Sequence, residues 1–461
     1  MKFPIKFNKY TGSYLALGLI LWDTKGMFFS GIPIGLLSLT ALFIFWLKKT
    51  FTRQESILEE TTTFRKDILF LIATHGVILL ISLFYKEYNL LLFDKVTRHT
   101  ILLHSLLIFF LIGLCYLIYR FASDKSVLNA LVGLIIVSLL IQVSCIFCSV
   151  VTGIDVTVML QKACDYFVHF KNPYDARYPD IFNGFYVKYY GTINYMTYWP
   201  SVVYISSIFY FIFGDYRYAY IFISIVFVLV LYRSGVKARL NKENILLYIL
   251  LWVSSPVLAF TINRGWIDVF VTLPFFLFLY YLNTRKVILS GLFLGVVLSF
   301  KLYYLLLTPF IFIYLITHFG FKRSIYFVAV CLAIFSATIV PFLVFDAHQF
   351  YQSTIAFYSG MKLARPDSLS WVSYLTRLDL QLISAGTYFS LFCIMVFCIW
   401  FMFCDKTITR LIEFSCVALL IFFMCARQAF CNYYLFVLFL FYMGIYFSPY
   451  GKERSDISKQ D

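Results

Sequence analysis

Long apolar stretches separated by short charged segments make up most of the 461 residues. About 20 apolar residues cross a bilayer as one helix, so the pattern predicts an all-α polytopic membrane protein with about 13–14 transmembrane helices. A further apolar stretch lies at 198–214. The candidate spans are 11–22, 27–47, 67–85, 99–119, 127–150, 216–232, 245–262, 266–282, 287–300, 302–318, 324–345, 383–403, 408–425 and 429–447.

Composition agrees with this pattern. Hydrophobic residues make up 62% of the chain, aromatic residues 21% and charged residues only 13%. A soluble domain carries about 25% charged residues. These proportions exclude a soluble enzyme, a disordered chain and a secreted disulfide scaffold.

The net charge of +15 indicates topology rather than nucleic-acid binding. With both termini in the cytoplasm, the inner segments hold 23 Lys and Arg residues and the outer segments 14, and Arg217 is left unassigned. This distribution follows the positive-inside rule. The number of crossings then requires 198–214 to be a half-embedded or interfacial helix on the outer face. The two long outer segments, 151–197 and 346–382, predict that the chemistry faces outward.

Residues 287–319 are too long for one span and too short for two full spans, so a break is predicted at Lys301, just before Pro309. Two short helices meeting below the outer surface would hold the Lys301 ammonium partly buried. Either this side chain reaches the outer headgroups or it binds an anion, and we favour the anion.

Two further outer turns each present a cation. Arg264 lies between two spans and can pair with Asp268, four residues later. Arg427 lies in a turn of the same kind. Because phosphate prefers charged donors that are fixed in place, the three cations together predict one phosphate site.

The first long outer segment contains a candidate base. Asp155 follows the span 127–150, and a carboxylate in the last turn of an apolar helix can be partly desolvated and act as a base. An ordinary solvated Asp is the alternative. Residues 156–170 then predict an amphipathic helix on the membrane, ended by Asn172-Pro173.

Aromatic residues are frequent after this helix. They form either an interfacial belt or a sugar-binding groove, since Tyr and Trp offer flat apolar faces with polar rims. The predicted substrate-binding residues are Asp165, Asn172, Tyr174, Tyr198, Trp199 and Asp268.

The order of these features over 127–447 resembles the GT-C superfamily of membrane glycosyltransferases. It is most similar to the mannosyltransferase-like members that use polyprenyl-phosphate sugars. The matching pieces are Asp155, Asn172-Pro173-Tyr174, Tyr198-Trp199-Pro200, Phe213-Gly214-Asp215, Ser255-Pro256, Arg264 to Asp268, Gly291 to Gly295, Lys301 to Tyr304, and Pro309.

The resemblance implies a GT-C-like fold with amphipathic helices in the first outer loop. It also implies a lipid-linked donor, chemistry on the non-cytoplasmic face, a catalytic base at Asp155 and a phosphate-contacting cation at Lys301. Many members carry a second acid beside the first, where this chain has Val156, Thr157 and Val158. A divalent metal is therefore doubtful, and no other cofactor is expected.

Residues 1–126 are predicted to be a four-helix membrane segment of unknown role, 127–447 the catalytic core and 448–461 a cytoplasmic tail. The predicted function is inverting transfer of a hexose, such as mannose, from a polyprenyl-phosphate donor. The acceptor is an envelope or lipid-linked glycan, or a protein. The expected location is the bacterial inner membrane, with membrane lipid, donor and glycan or glycolipid acceptor as partners and no nucleic acid.

Two alternatives stay open at this point. An envelope polysaccharide polymerase shares the substrate chemistry, although the spacing from Asp155 to Asn172 favours the transferase. A flippase or other transporter for lipid-linked sugars would carry charges in mid-membrane and show related halves. In this chain the charges concentrate at the outer ends of spans, and no internal repeat is evident.

Overall fold

The computed structural model describes residues 9–24, 34–51, 61–84, 98–121, 124–147, 155–181, 184, 187, 195–359, 363–378, 380 and 382–448. Within these ranges, regular secondary structure is helical throughout. The α-helices are α1 Lys9–Thr24, α2 Ile34–Phe51, α3 Thr61–Phe84, α4 Arg98–Phe121, α5 Asp124–Phe147, α6 Asp155–Val168, α7 Pro200–Phe213, α8 Tyr218–Lys237, α9 Lys242–Val253, α10 Pro256–Arg264, α11 Val269–Asn283, α12 Val287–Leu298, α13 Thr308–Tyr351, α14 Trp371–Arg377, α15 Ile383–Phe401, α16 Ile408–Cys425 and α17 Cys431–Phe447. A 3-10 helix, Leu302–Leu307, lies between α12 and α13. A π-helix, Gln352–Ala356, and a three-residue helical turn, Phe357–Ser359, follow α13.

Several of these helices are long and apolar enough to cross a membrane. Five stretches in the described part qualify, and the pair α9 and α10, bent by 45°, makes a sixth if it is one span. Seven shorter apolar helices of 10–17 residues accompany them. The five stretches are Ser126–Phe147, Tyr218–Lys237, Leu302–Ser359, Ile383–Phe401 and Ile408–Cys425. The prediction of an all-α polytopic membrane protein is confirmed.

Helix α13 is interrupted where its backbone leaves the helical region. Gly320 has φ 77° and ψ 165°, a conformation that glycine adopts without steric cost. It separates the predicted spans 302–318 and 324–345. A second departure at Asp346, with φ −159° and ψ 95°, ends the long apolar segment that begins after Gly320.

The chain divides into two compact units. The first unit comprises Met1–Gly12, Glu55–Thr157 and Arg217–Val269. Helix α5 lies at its centre, since it contacts α4, α8, α9 and α10. A bidentate ion pair between Arg65 of α3 and Glu243 of α9 joins two of its helices.

The second unit comprises Ser13–Gln54, Val158–Tyr216 and Phe270–Asp461. Its core is built on α16 and α17, which are buried along nearly their whole length. The N-terminal helices belong to this core: Trp46 of α2 stacks on Phe441 of α17 at 4.9 Å. Trp371 of α14 donates its indole N–H to Thr40 Oγ1 at 2.9 Å, which ties the loop after α13 to α2.

Candidate active site

The first unit presents a turn at residues 263–268, here called the Arg264 turn. Helix α10 begins with Pro256 and ends at Arg264, and Gly265 takes the left-handed conformation that closes many helices. The Gly265 and Trp266 N–H groups donate to the carbonyls of Ile262 and Thr261, both at 3.1 Å. Arg264 and Asp268 are therefore fixed on one short turn, and both are buried, Asp268 with only 1% of its surface exposed.

Three neighbouring helices hold this turn. Asn263 donates to the Cys145 carbonyl at the end of α5 at 3.1 Å, and the Tyr220 hydroxyl of α8 donates to the Gly265 carbonyl at 2.8 Å. The Thr157 hydroxyl, in the first turn of α6, lies 3.5 Å from the Arg264 carbonyl oxygen. The first turn of α6 therefore lies beside the Arg264 turn.

Asp155 is the first residue of α6, whereas the sequence predicted it in the last turn of the preceding span. Helix α5 ends at Phe147, so Asp155 belongs to the next helix. Its Oδ1 accepts the Val156 N–H at 2.9 Å. The N-terminus of a helix favours an anionic carboxylate, because the first N–H groups point toward it.

The first unit thus brings Asp155, Arg264 and Asp268 to one end of its helices. The same unit contains a further buried cation, Arg217, which directly precedes α8. Sequence reasoning had left this residue unassigned. Nothing in the sequence distinguished Arg217 from an exposed loop cation.

In the second unit, the chain breaks at Lys301 as predicted. Helix α12 ends at Leu298, Lys301 is extended with φ −155° and ψ 136°, and the 3-10 helix follows. Only 9% of Lys301 is exposed. Its Nζ lies 4.5 Å from the ring centroid of Tyr433 and 5.4 Å from that of Tyr303.

The two tyrosine rings are themselves fixed. They stack at 5.6 Å with an angle of 29° between their planes. Phe423 packs edge-on against both, and the Tyr303 hydroxyl donates to the Tyr304 hydroxyl at 3.0 Å. A cation within about 6 Å of an aromatic face is attracted by the ring quadrupole, so this pair holds the ammonium in place.

Predicted aromatic residues lie beside the Lys301 segment. Ser201 and Ser299 share a side-chain hydrogen bond of 2.5 Å, and the Ser201 N–H donates to the Ser299 carbonyl at 3.4 Å. This contact brings the start of α7, with Tyr198 and Trp199, to the segment carrying Lys301. Trp199 stacks on Phe335 of α13 at 5.6 Å.

Asn172 and Tyr174 shape the loop after α6. The Asn172 side chain donates to Asp175 and accepts the Tyr174 N–H, so it stabilises a tight turn. Tyr174 is buried, and its hydroxyl donates to the Tyr198 carbonyl at 2.8 Å. Tyr186, Tyr189 and Tyr190 of the aromatic segment lie outside the described residues.

Asp165 contacts α7 and the end of its own helix. It accepts the Tyr210 hydroxyl of α7 at 3.3 Å and lies 3.5 Å from His169 Nδ1. Its side chain is half exposed. These contacts attach α6 to α7.

Arg427 lies in the turn between α16 and α17. Its Nη1 donates to the Tyr358 carbonyl at 3.2 Å, and burial lowers the pKa of its guanidinium below the usual value. Arginine stays cationic at neutral pH despite such a shift. Burial weakens its hydration, which favours contact with an anion.

A second cation beside this turn, Arg365 in the loop after α13, was missed by sequence reasoning. Its Nε and Nη2 contact the two carboxylate oxygens of Asp367 at 2.8 and 2.9 Å, and its Cζ lies 4.5 Å from the Phe430 ring. Its backbone N–H donates to the Arg427 carbonyl at 3.1 Å. The only sequence signal was a cation two residues before an acid in the segment 346–382.

Among the described residues, no group of three or more His, Cys, Asp or Glu side chains could hold a metal ion. Asp155 accepts from the N–H of Val156, Asp165 accepts from the Tyr210 hydroxyl, and Asp367 pairs with Arg365.

Comparison with known proteins gives one match. The sequence profile of glycosyltransferase family 87 matches residues 197–427, just over half of the chain. The matched region contains the Arg264 turn, Lys301 and Arg427, and begins after Asp155. No curated protein and no solved structure matches the chain. The chain belongs to glycosyltransferase family 87, of the GT-C type, and is a membrane glycosyltransferase.

Proposed function

We propose that this enzyme transfers a hexose, such as mannose, from a polyprenyl-phosphate donor to a glycan, glycolipid or protein acceptor on the non-cytoplasmic face. The observation that carries the proposal is Lys301, a buried ammonium in a helix break, held against the rings of Tyr303 and Tyr433. An ionisable residue within a membrane segment is costly to keep and commonly marks a functional site. The phosphate of a membrane-bound donor is a ligand that suits a cation held in this way.

In this proposal Lys301 contacts the donor phosphate, and Arg264 and Arg427 add further positive charge. Arg427 supports the assignment because its guanidinium is partly desolvated. Arg264 supports it because its turn is fixed by hydrogen bonds with three neighbouring helices. Fixed cations stabilise developing negative charge without having to reorganise during the reaction.

The proposed reaction is a single displacement. The acceptor hydroxyl oxygen forms a bond to the anomeric carbon while the Asp155 carboxylate takes its proton. The bond from the anomeric carbon to the phosphate oxygen breaks, and polyprenyl phosphate leaves with the electron pair. Negative charge on the leaving phosphate increases, which Lys301 stabilises. Displacement from one side inverts the anomeric centre.

The remaining predicted residues are proposed to bind or frame the substrates. Asp165 and Tyr198 keep part of their surfaces exposed and are proposed to contact sugar hydroxyls. Asn172, Tyr174 and Trp199 are engaged in the loop and core, and are proposed to act through the shape of the groove. Asp268 is proposed to fix the Arg264 turn beside the acceptor.

We further propose that the protein resides in a bacterial inner membrane with both termini in the cytoplasm. The support is the charge asymmetry of 23 to 14. Family membership favours transfer over the flippase alternative, because a transporter makes no glycosidic bond.

Two substitutions test the proposed roles separately. Asp155→Asn keeps the shape but removes the basicity, so the single-turnover rate should fall by roughly 10²–10⁴ with little change in donor binding. Lys301→Met keeps the apolar stem but removes the charge, so it should weaken donor binding as well as slow the reaction.

Asp405→Asn and Lys286→Met are matched controls that make the same chemical changes at positions with no proposed role. Both should leave rate and donor binding unchanged. Near-normal turnover in folded Asp155→Asn would place the base elsewhere, with Asp165 or Asp268 next to test. Unchanged donor binding in Lys301→Met would refute the phosphate contact.

A further inference from the structure

The end of helix α6 has an unusual residue at its C-terminal cap. Phe170 takes the left-handed backbone conformation with φ 56°, and the Lys171 N–H donates to the Tyr166 carbonyl at 2.9 Å. This closure often uses glycine, as at Gly214 and Gly265, because a Cβ makes the conformation costly. Among the described residues Arg239 and Arg285 also take it, and Phe170 is the apolar one of these three. The backbone therefore gives no reason for a phenylalanine at this position.

Packing gives no reason either. Phe170 has 95% of its surface exposed. An apolar ring that is almost fully exposed in a strained backbone position stabilises neither the helix nor the core. A single exposed apolar ring is common on protein surfaces, so its role depends on the surface that surrounds it.

The contact between Phe167 and α13 shows where the Phe170 ring lies along α13. Phe167, three residues earlier, packs against Phe342 of α13 with ring centroids 6.2 Å apart. Phe342 is one helical turn, about 6 Å, before the break at Asp346. The end of α6 therefore lies at the end of the long apolar segment of α13.

The surface of α13 at this level is apolar and exposed. Val344 and Phe345 are 81% and 68% exposed, and they belong to a stretch that can cross a membrane. In a membrane protein such a surface contacts lipid, and Asp346 directly after it indicates where the apolar layer ends. Phe170 thus continues a lipid-facing surface at its boundary with the headgroups.

The residues around Phe170 suit this boundary. His169 and Lys171 are both exposed, so the tip combines an aromatic ring with polar and cationic groups. Aromatic rings concentrate at the interface of a bilayer, and lysine side chains extend from it to the headgroups.

We propose that Phe170 is a membrane anchor whose ring inserts at the headgroup–acyl boundary of the phospholipid leaflet beside the Asp346 end of α13. The anchor fixes the end of α6 and the loop after it to the bilayer surface. This assignment does not depend on the identity of the sugar donor or on which side of the membrane the loop occupies.

Site-specific photo-crosslinking tests the proposal in the full-length protein. The photoreactive residue p-benzoylphenylalanine is placed at position 170, in nanodiscs of phosphatidylcholine and phosphatidylglycerol. Position 344 provides the lipid-facing reference, and position 179 is an exposed site in the same loop. Mass spectrometry after irradiation should find a phospholipid adduct at 170 with a yield within about threefold of that at 344, since both lie in the apolar boundary.

A lipid adduct at 344 without one at 170 would overturn the anchor. An adduct at 170 to added acceptor glycan, in place of lipid, would also overturn it and indicate a substrate contact. A second pair of variants, Phe170→Asn and Phe170→Trp, covers the case in which the photoreactive protein fails to fold. Asn accepts the left-handed conformation but loses the ring, whereas Trp keeps an interfacial aromatic.

In nanodiscs, amide hydrogen exchange of residues 166–172 should be at least tenfold faster in Phe170→Asn than in Phe170→Trp. Equal amide hydrogen exchange in the two variants in nanodiscs would show that the ring does not anchor this segment.

Discussion

At the scale of single residues, Lys301 shows how this chain retains a cation near the bilayer. Its Nζ lies within 5.4 Å of two aromatic ring centroids, and its backbone is held extended between two helices. The ring faces attract the ammonium and hold it in position. The proposed phosphate contact therefore depends on the rings as well as on the lysine.

Substitution of Tyr433 separates the ring from its hydroxyl. Tyr433→Phe keeps the aromatic face, so the Michaelis constant for the lipid-linked donor should change by less than about threefold. Tyr433→Leu removes a cation–π contact worth about 0.5–2 kcal/mol, so that constant should rise by roughly 2- to 30-fold. Steady-state kinetics over a series of donor concentrations checks both. Equal constants for Phe and Leu would show that the ring face does not position Lys301.

Sequence reasoning located some of these residues and missed others for a physical reason. Lys301 was found because a charge inside an apolar run is rare and costly. Arg217 and Arg365 were not found, because their burial arises from distant segments of the chain. In a polar loop, a cation that will be buried and one that will be solvated look alike.

At the scale of helices, α12 and α13 approach closely through glycines. A Cβ on Gly295 would lie 2.6 Å from the Cys331 carbonyl oxygen, and one on Gly291 would lie 2.7 Å from the Phe327 carbonyl oxygen. Both obstacles are backbone atoms, which cannot move aside as a side chain can. Small residues at helix contacts allow this close approach within membranes.

Gly295→Ala should therefore destabilise the protein by roughly 1–3 kcal/mol, the usual cost of overpacking, and lower its thermal unfolding midpoint. Gly18→Ala in α1 is the matched control, since a Cβ there meets nothing within 4 Å. The control should keep or raise the midpoint, because alanine favours helix more than glycine does. A Gly295→Ala protein as stable as the control would contradict the close packing.

Helix boundaries were predicted well where length or charge forced them. The break at Lys301 followed from a stretch too long for one span, and the end of α6 before Asn172 followed from Asn-Pro. The start of α6 was predicted to within one residue, but Asp155 was assigned to the end of the preceding span, because apolar residues continue past the end of α5 at Phe147. Periodicity alone cannot divide a continuous apolar run into two helices.

At the scale of the whole molecule, the orientation in the membrane is a prediction with a direct test. Reporter fusions after residues 60, 180, 240 and 365 should report cytoplasm, outside, cytoplasm and outside. The reason is the excess of Lys and Arg in the segments assigned to the cytoplasm, 23 against 14. A cytoplasmic signal at 180 would place Asp155 and the aromatic loop on the wrong side for the proposed reaction.

Family membership establishes a membrane glycosyltransferase, and the donor is the central claim that goes beyond it. The proposal joins a buried, aromatic-held lysine to a phosphate that stays in the bilayer. A soluble nucleotide sugar would bring a different phosphate group from the aqueous side. The two donor classes therefore make opposite predictions for the purified enzyme.

The most direct test is sugar transfer by purified protein in nanodiscs, with a synthetic short-chain polyprenyl-phosphate mannose and an envelope-derived acceptor. The account predicts product with the lipid donor, an inverted anomeric configuration by NMR, and at least a hundredfold loss in Asp155→Asn. The matching nucleotide sugar should give no product without the lipid donor. Equal activity with the nucleotide sugar alone would contradict the account.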